Sequence, residues 1–150
     1  MSLPLISTYY KRDIILGIAT AAIFIFLANL NSLFVIGLPQ AQTAEFAWAV
    51  GIAPVVETFL VVVSFMLAKK FLPTIPAILV VMGIFSAFHF VAYGSSLATF
   101  NTGFIGAAIF GSSQAILLYR FNSITPLIIS HTLFNFYLLA HLVLAIGLIR

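Results

Sequence analysis

The chain has 150 residues, of which 63% are hydrophobic and 6% carry a formal charge. A soluble domain has about a quarter charged residues, so this composition excludes an ordinary soluble protein and makes lipid the main solvent. The net charge of +3 comes from six scattered basic residues, too few for a nucleic-acid-binding surface, and the lack of cysteine excludes disulfides and thiolate chemistry.

Long stretches with almost no charge mark candidate membrane-spanning helices, which need about 20 residues each. Five such segments follow one another along the chain, at residues 14–36, 45–67, 76–93, 103–119 and 124–148. Turn signals separate them at residues 37–42, around Pro73, and at 94–103 and 120–123. Since helices satisfy their own backbone in lipid, we predict an all-α, polytopic integral membrane bundle of about five transmembrane helices, forming one domain over residues 1–150.

The basic residues predict how this bundle is oriented. The apolar run after Lys11 and Arg12 is too long for a cleavable signal, so we interpret it as the first span. Tyr9, Tyr10, Lys11 and Arg12 are typical of an interfacial anchor, so residues 1–12 form an interfacial segment in this interpretation. Positive residues accumulate on the cytoplasmic side of membrane proteins. Five spans place all the basic residues except Arg150 on one side, namely Lys11, Arg12, Lys69, Lys70 and Arg120. We therefore expect the N-terminus inside, the C-terminus outside, and the cell (plasma) membrane as the location.

The second segment contains the most informative residue, Glu57. It is the only acidic residue after Glu45, and it lies in the apolar run 46–68. Its position is roughly 18 Å from both Glu45 and Lys69 along a helix, near the middle of the membrane. A carboxylate at that depth is costly and usually functional, so we interpret Glu57 as a site residue.

Two later segments carry polar residues in equally apolar surroundings. The third contains Phe85 and, one turn later, His89; the fifth contains His131 and, one turn later, Asn135. Residues four apart share a helix face. We predict that these polar side chains meet Glu57 in one buried site. The alternative for each is a structural role, as a polar residue that hydrogen-bonds a neighbouring helix.

Such a site has the groups needed to hydrolyse an amide with water. A carboxylate beside an imidazole can take a proton from water, and the Asn135 amide can donate to an oxygen that gains charge. Glu57, His89 and His131 are also adequate zinc ligands. Because the chain has no His-x-x-x-His pair and no His-Glu-x-x-His helix, we expect a site without a cofactor and keep zinc as the lesser alternative.

In this order, the segments resemble the CAAX-protease and bacteriocin-processing family of membrane proteins, also called CPBP or ABI. The family pattern is a double glutamate followed four residues later by arginine, then Phe-x-x-x-His, then His-x-x-x-Asn or Asp. Phe85 to His89 fits the second motif and His131 to Asn135 fits the third. The resemblance covers residues 53–135, as a CPBP-like core.

The resemblance implies an intramembrane endopeptidase similar to the type 2 CAAX prenyl proteases. In that family the first glutamate activates water, the first histidine assists, and the last pair supports the oxyanion. By resemblance these roles fall on Glu57, on His89, and on His131 with Asn135. The implied partners are the lipid bilayer and a peptide or membrane-protein substrate.

The first motif departs from the family pattern. Glu57 takes the first glutamate position, but Thr58 and Val62 stand where the pattern has the second glutamate and the arginine. This departure keeps open an alternative function, that of a non-catalytic accessory or structural subunit in a larger membrane complex. A small transporter or channel fits less well, because few polar residues line the spans and no internal repeat is visible.

Overall fold

Five helices make up the computed structural model of the chain, which describes residues 9–31, 51–93 and 104–147. They are α1 Tyr10–Asn31, α2 Ala53–Phe71, α3 Thr74–Tyr93, α4 Ile105–Phe121 and α5 Thr125–Gly147. No strand occurs within those ranges, which confirms the all-α prediction. Each helix overlaps one predicted segment. The expected turns at 37–42 and 94–103, and residues 1–8 of the interfacial segment, lie outside the described residues.

The α2–α3 connection is shorter than the sequence predicted. Helix α2 continues past the expected end at residue 67 and includes both lysines, whose positive charge is favourable at a helix C-terminus. Leu72 then adopts an extended conformation, with φ −125° and ψ 149°, because it precedes Pro73. Lys69 Nζ donates to Thr74 Oγ1 at 3.0 Å. The bend therefore makes α2 and α3 adjacent antiparallel helices.

The α4–α5 connection is equally tight. Asn122 ends α4 in the left-handed conformation, with φ 47°, and its N–H donates to Leu118 O at 2.8 Å. The next residue, Ser123, is fully buried and its Oγ accepts the N–H of Thr125 at 3.3 Å. These bonds satisfy backbone groups at both ends of the loop and fix where α5 begins.

Helix α1 packs most extensively against α5, while α3 packs against both α2 and α4. Two glycines allow the closest approaches. A methyl group at Gly17 would lie 2.7 Å from Cβ of Ile129, and one at Gly111 would lie 2.9 Å from three atoms of Phe85. Small residues at such positions are typical of helices that pack in membranes.

The outward surface of the helices is apolar, as expected for a protein solvated by lipid. Phe71, Ile75 and Val91 are each more than 70% exposed. Within the described ranges, one stretch, Thr74–Val91 in α3, is long and apolar enough to cross a membrane, with a mean hydropathy of 2.1, and α4 is a shorter apolar helix. The count of five spans and their orientation remain predictions.

Candidate active site

Glu57 lies in the first turns of α2 with its side chain only 5% exposed. Its Oε2 atom is 3.2 Å from Nε2 of His89 and 3.1 Å from Nε2 of His131. Three helices, α2, α3 and α5, thus bring one carboxylate oxygen and two imidazoles together. Residues up to 74 positions apart in the sequence therefore meet at a single point.

The tight α2–α3 connection explains why His89 is level with Glu57. Within the predicted span 76–93, His89 is thirteen residues from the start and is therefore expected nearer the outer end. Glu57 is 14 residues before the end of α2, and His89 is 15 residues after the start of α3. At about 1.5 Å per residue these distances are nearly equal, so an antiparallel pair of helices brings the two side chains together without a break in α3.

The hydrogen bond of His89 Nδ1 determines where its proton lies. Nδ1 is 2.9 Å from the carbonyl oxygen of Phe85, one turn earlier in the same helix. A carbonyl oxygen only accepts, so Nδ1 carries a hydrogen. In a neutral His89, Nε2 would then carry no hydrogen and would face the Glu57 carboxylate oxygen with its lone pair. The 3.2 Å contact therefore needs one proton between Nε2 of His89 and Oε2 of Glu57.

Both imidazoles approach Oε2 at ion-pair distance but not along good hydrogen-bond directions. Oε2 is buried and has no hydrogen-bond partner with acceptable angles among the described residues. A carboxylate oxygen this close to two imidazoles is placed to exchange protons with them.

Aromatic rings hold both imidazoles. The centroid of the Phe85 ring is 4.3 Å from that of His89 and 6.1 Å from that of His131, so this ring packs near both histidines. Phe110 of α4 lies edge-on to His131 at 4.9 Å. His131 is only 4% exposed at its side chain, whereas His89 is 18% exposed. The His89 side is therefore the more open side of the site.

Asn135 follows His131 by one turn of α5 and is half-buried. This position puts it on the same helix face as His131, as the sequence predicted. The part of Asn135 in the site remains a prediction.

The replaced positions of the first motif are both buried. Thr58 is 4% exposed, and its Oγ1 has no hydrogen-bond partner among the described residues. Val62, one turn later, is 7% exposed and belongs to the hydrophobic core. Residues at this spacing can form an ion pair across one helix turn, but here the same face carries a hydroxyl and an aliphatic side chain.

Zinc binding by Glu57, His89 and His131 remains an untested alternative. Within residues 9–31, 51–93 and 104–147, no group of three or more His, Cys, Asp or Glu side chains has an arrangement suited to a metal ion.

Sequence reasoning missed a second buried acid, Asp13 of α1. Its side chain is fully buried and accepts hydrogen bonds from Arg12, at 2.8 and 2.9 Å, and from Ser123 Oγ, at 2.6 Å. The Arg12 guanidinium also lies 5.0 Å from the Tyr9 ring and 5.2 Å from the Phe121 ring. An acid next to two basic residues at a helix start is typical of an exposed interfacial segment, so its burial could not be predicted from the local sequence.

The sequence analysis also missed a buried polar pair, Gln114 and Ser130, that joins α4 to α5. The Gln114 side chain is 1% exposed; its Nε2 donates to Ser130 Oγ at 3.1 Å. Ser130 Oγ also lies 3.0 Å from Leu127 O. Gln114 is the one amide side chain in the apolar segment 103–119, and this isolation in the sequence could have indicated a buried hydrogen bond to another helix.

An open apolar groove of about 520 Å³ runs along α2 and α3 and includes Ser64 and Leu67. Ser64 Oγ donates to Leu60 O at 2.6 Å, so its hydroxyl is satisfied within its own helix. The geometry is that of a packing serine and not of a nucleophile.

Comparison with known protein families gives one match. The sequence model of the family described as Type II CAAX prenyl endopeptidase Rce1-like matches residues 39–137. This segment includes Glu57, His89, His131 and Asn135, and it ends within α5, whereas α1 lies entirely before it. No curated protein and no solved structure matches the chain. The match confirms the resemblance drawn from the three motifs.

Proposed function

The chain belongs to the Type II CAAX prenyl endopeptidase Rce1-like family, and from that premise we propose that it is an intramembrane endopeptidase. In this proposal Glu57 activates the water that hydrolyses a peptide bond. The observation that carries the proposal is the position of one buried Glu57 oxygen 3.1 and 3.2 Å from two imidazole nitrogens. We further propose five spans, with the N-terminus in the cytoplasm, in the plasma membrane.

The proton shared by Glu57 and His89 suggests a sequence of steps. With the carboxylate ionised and His89 protonated, Glu57 takes a proton from water as the water oxygen attacks the carbonyl carbon. When the carbon–nitrogen bond breaks, Nε2 of His89 gives its proton to the leaving amine. The proton on Glu57 then returns to Nε2 of His89, so each cycle consumes one water and restores both groups.

His131 and Asn135 have a different role in this proposal. The negative charge of the tetrahedral intermediate develops on the former carbonyl oxygen, and an imidazole N–H and an amide N–H are suitable donors to it. The tight aromatic surround of His131 supports this role, because stabilisation of a transition state needs a donor that is already in place. Water and substrate would enter from the more open His89 side.

The test is cleavage of a peptide library by the purified full-length chain. Wild-type protein should cleave peptides, Glu57→Gln should fold and lose cleavage, and Ser64→Ala should keep the wild-type rate within about twofold. The last variant is the matched control, because Ser64 is a buried hydroxyl on the same helix whose bond goes to its own backbone. Turnover retained by Glu57→Gln would end the assignment.

The second candidate function is a non-catalytic subunit of a larger membrane complex. The observation that favours it is the pair of replacements at Thr58 and Val62, where the family pattern has an acid and an arginine. Purification in a mild detergent separates the two functions. A stable stoichiometric complex with other membrane proteins and no cleavage favours the subunit, whereas a solitary chain that cleaves peptides favours the enzyme.

A further inference from the structure

Helix α1 lies outside the segment that matches the family, yet it contacts the groups that hold His131. We infer that α1 positions the His131 imidazole against Glu57, with Asp13 and Phe24 as positioning residues. The inference rests on the proposed role of His131 in hydrolysis. It concerns only how this chain holds that ring.

The first contact fixes the start of α5. Asp13 Oδ2 accepts the Ser123 hydroxyl at 2.6 Å, and Ser123 Oγ in turn accepts the N–H of Thr125 in the first turn of α5. All of Asp13 and Ser123 is buried. His131 follows Ser123 by eight residues, or about two helical turns. A shift of the Asp13 contact would therefore move the His131 backbone along or around the α5 axis.

The second contact fixes the spacing between α1 and α5. A methyl group at Gly17 would lie 2.7 Å from two atoms of Ile129 and 3.1 Å from the Pro126 carbonyl oxygen. Gly17 is one turn from Asp13, and Ile129 is two residues before His131. Gly17 therefore lets α1 and α5 pack closely at a point between the Asp13–Ser123 hydrogen bond and His131.

The third contact completes the aromatic surround of His131. Phe24 of α1 lies edge-on to Phe110 at 4.9 Å and to Phe134 at 5.8 Å. Phe110 stacks on Phe134 at 5.4 Å and meets the His131 ring edge-on at 4.9 Å. Phe24 therefore restrains the Phe110 ring, which in turn restrains the His131 imidazole. His89 differs, because its own helix holds it through Phe85 O.

The test follows the imidazole ¹⁵N signals of the three histidines in the full-length protein, assigned by single His→Gln variants. Phe24→Leu should shift the His131 signals and leave those of His89 in place. Phe26→Leu is the matched control, since Phe26 is on the same helix but 62% exposed, and it should change neither. Ser123→Ala should also shift the His131 signals and leave those of His89 in place. Its control is Ser112→Ala, which removes a hydroxyl that donates within its own helix and should change neither set of signals.

Activity provides a second readout. In Phe24→Leu and Ser123→Ala, kcat should fall about tenfold with KM unchanged within about twofold, since small misplacements of catalytic groups reduce the rate strongly. If the wild-type chain cleaves nothing, the proposed function fails while the NMR criterion still decides the positioning.

Three results would overturn the inference. The first is an unchanged His131 signal in folded Phe24→Leu and Ser123→Ala. The second is an equal shift of His89 and His131, which would indicate general loosening. The third is failure of both variants to fold, which would make α1 a purely architectural helix.

Discussion

Two carboxylates are buried in the described part of this bundle, and their surroundings differ in kind. Asp13 accepts aligned hydrogen bonds from a guanidinium and a hydroxyl, so its oxygens face groups that do not exchange protons near neutral pH. Glu57 Oε2 faces two imidazoles at 3.1 and 3.2 Å and has no aligned donor among the described residues. Imidazoles do gain and lose protons in that range. Burial alone therefore does not distinguish a structural acid from a catalytic one, but the groups that face its oxygens do.

The largest effect should appear at Glu57 when each of the two acids is replaced by its amide. Glu57→Gln should reduce peptide cleavage by about 10²–10⁴-fold, the contribution of a general base. Asp13→Asn should keep cleavage within a few-fold, because the amide oxygen can still accept the Ser123 hydroxyl. Steady-state cleavage of one library-derived peptide measures both. Equal losses in the two variants would remove the distinction between the acids.

Stability should respond in the opposite order when Asp13→Ala is compared with Glu57→Gln. Asp13→Ala takes the Oδ2 acceptor from a buried hydroxyl and should lower the free energy of unfolding by about 1–3 kcal/mol. Glu57→Gln should change it by less than about 1 kcal/mol, because the amide N–H can donate to Nε2 of a neutral His89 in place of the shared proton. Reversible unfolding by sodium dodecyl sulfate gives both values. A larger loss in Glu57→Gln would indicate that Glu57 mainly stabilises the fold.

Glycine substitutions sharpen the comparison at the Glu57 site. A methyl group at Gly111 would press on Phe85, whose ring packs against His89, so Gly111→Ala should destabilise by about 1–3 kcal/mol and slow cleavage. Gly83→Ala is the matched control in α3, since its methyl group meets nothing within 4 Å. That variant should be neutral or more stable by up to about 1 kcal/mol. Similar unfolding curves for the two would contradict the close α3–α4 contact.

The smallest effect is expected from the Gln114–Ser130 pair. Interhelical hydrogen bonds between membrane helices contribute about 0.6 kcal/mol on average, and Ser130 keeps a second contact to Leu127 O. A double-mutant cycle with Gln114→Ala and Ser130→Ala should therefore give a coupling below about 1.7 kcal/mol. A larger coupling would show that this neutral pair organises the bundle as strongly as Asp13 does.

The sequence predicted the helices well because their signals are local. Apolar stretches, prolines and lysines gave all five helices to within a few residues at the ends that the structure describes. Two ends differ by four residues because charged residues expected outside the spans lie inside the helices: α1 begins at Tyr10 and not at residue 14, and α2 ends at Phe71 and not at residue 67. Charge was treated there as a boundary, although a helix C-terminus accommodates positive side chains.

The site was predictable only in part, because contacts between helices are not local. Glu57, His89 and His131 stood out as polar residues in apolar surroundings, and the order of their motifs suggested a common site. The sequence had no comparable signal for Asp13, since its burial depends on Ser123, 110 residues later. The level of His89 was also missed, because it depends on how short the α2–α3 bend is.

The most direct test of the account is the ¹⁵N spectrum of the imidazoles in wild-type protein and in Glu57→Gln. Because one Glu57 oxygen is close to Nε2 of both His89 and His131, the variant should shift both sets of signals, and His89 Nδ1 should stay protonated in each sample. If both histidines give the same spectrum with and without the Glu57 carboxylate, the three groups do not form one site and the proposed chemistry has no basis.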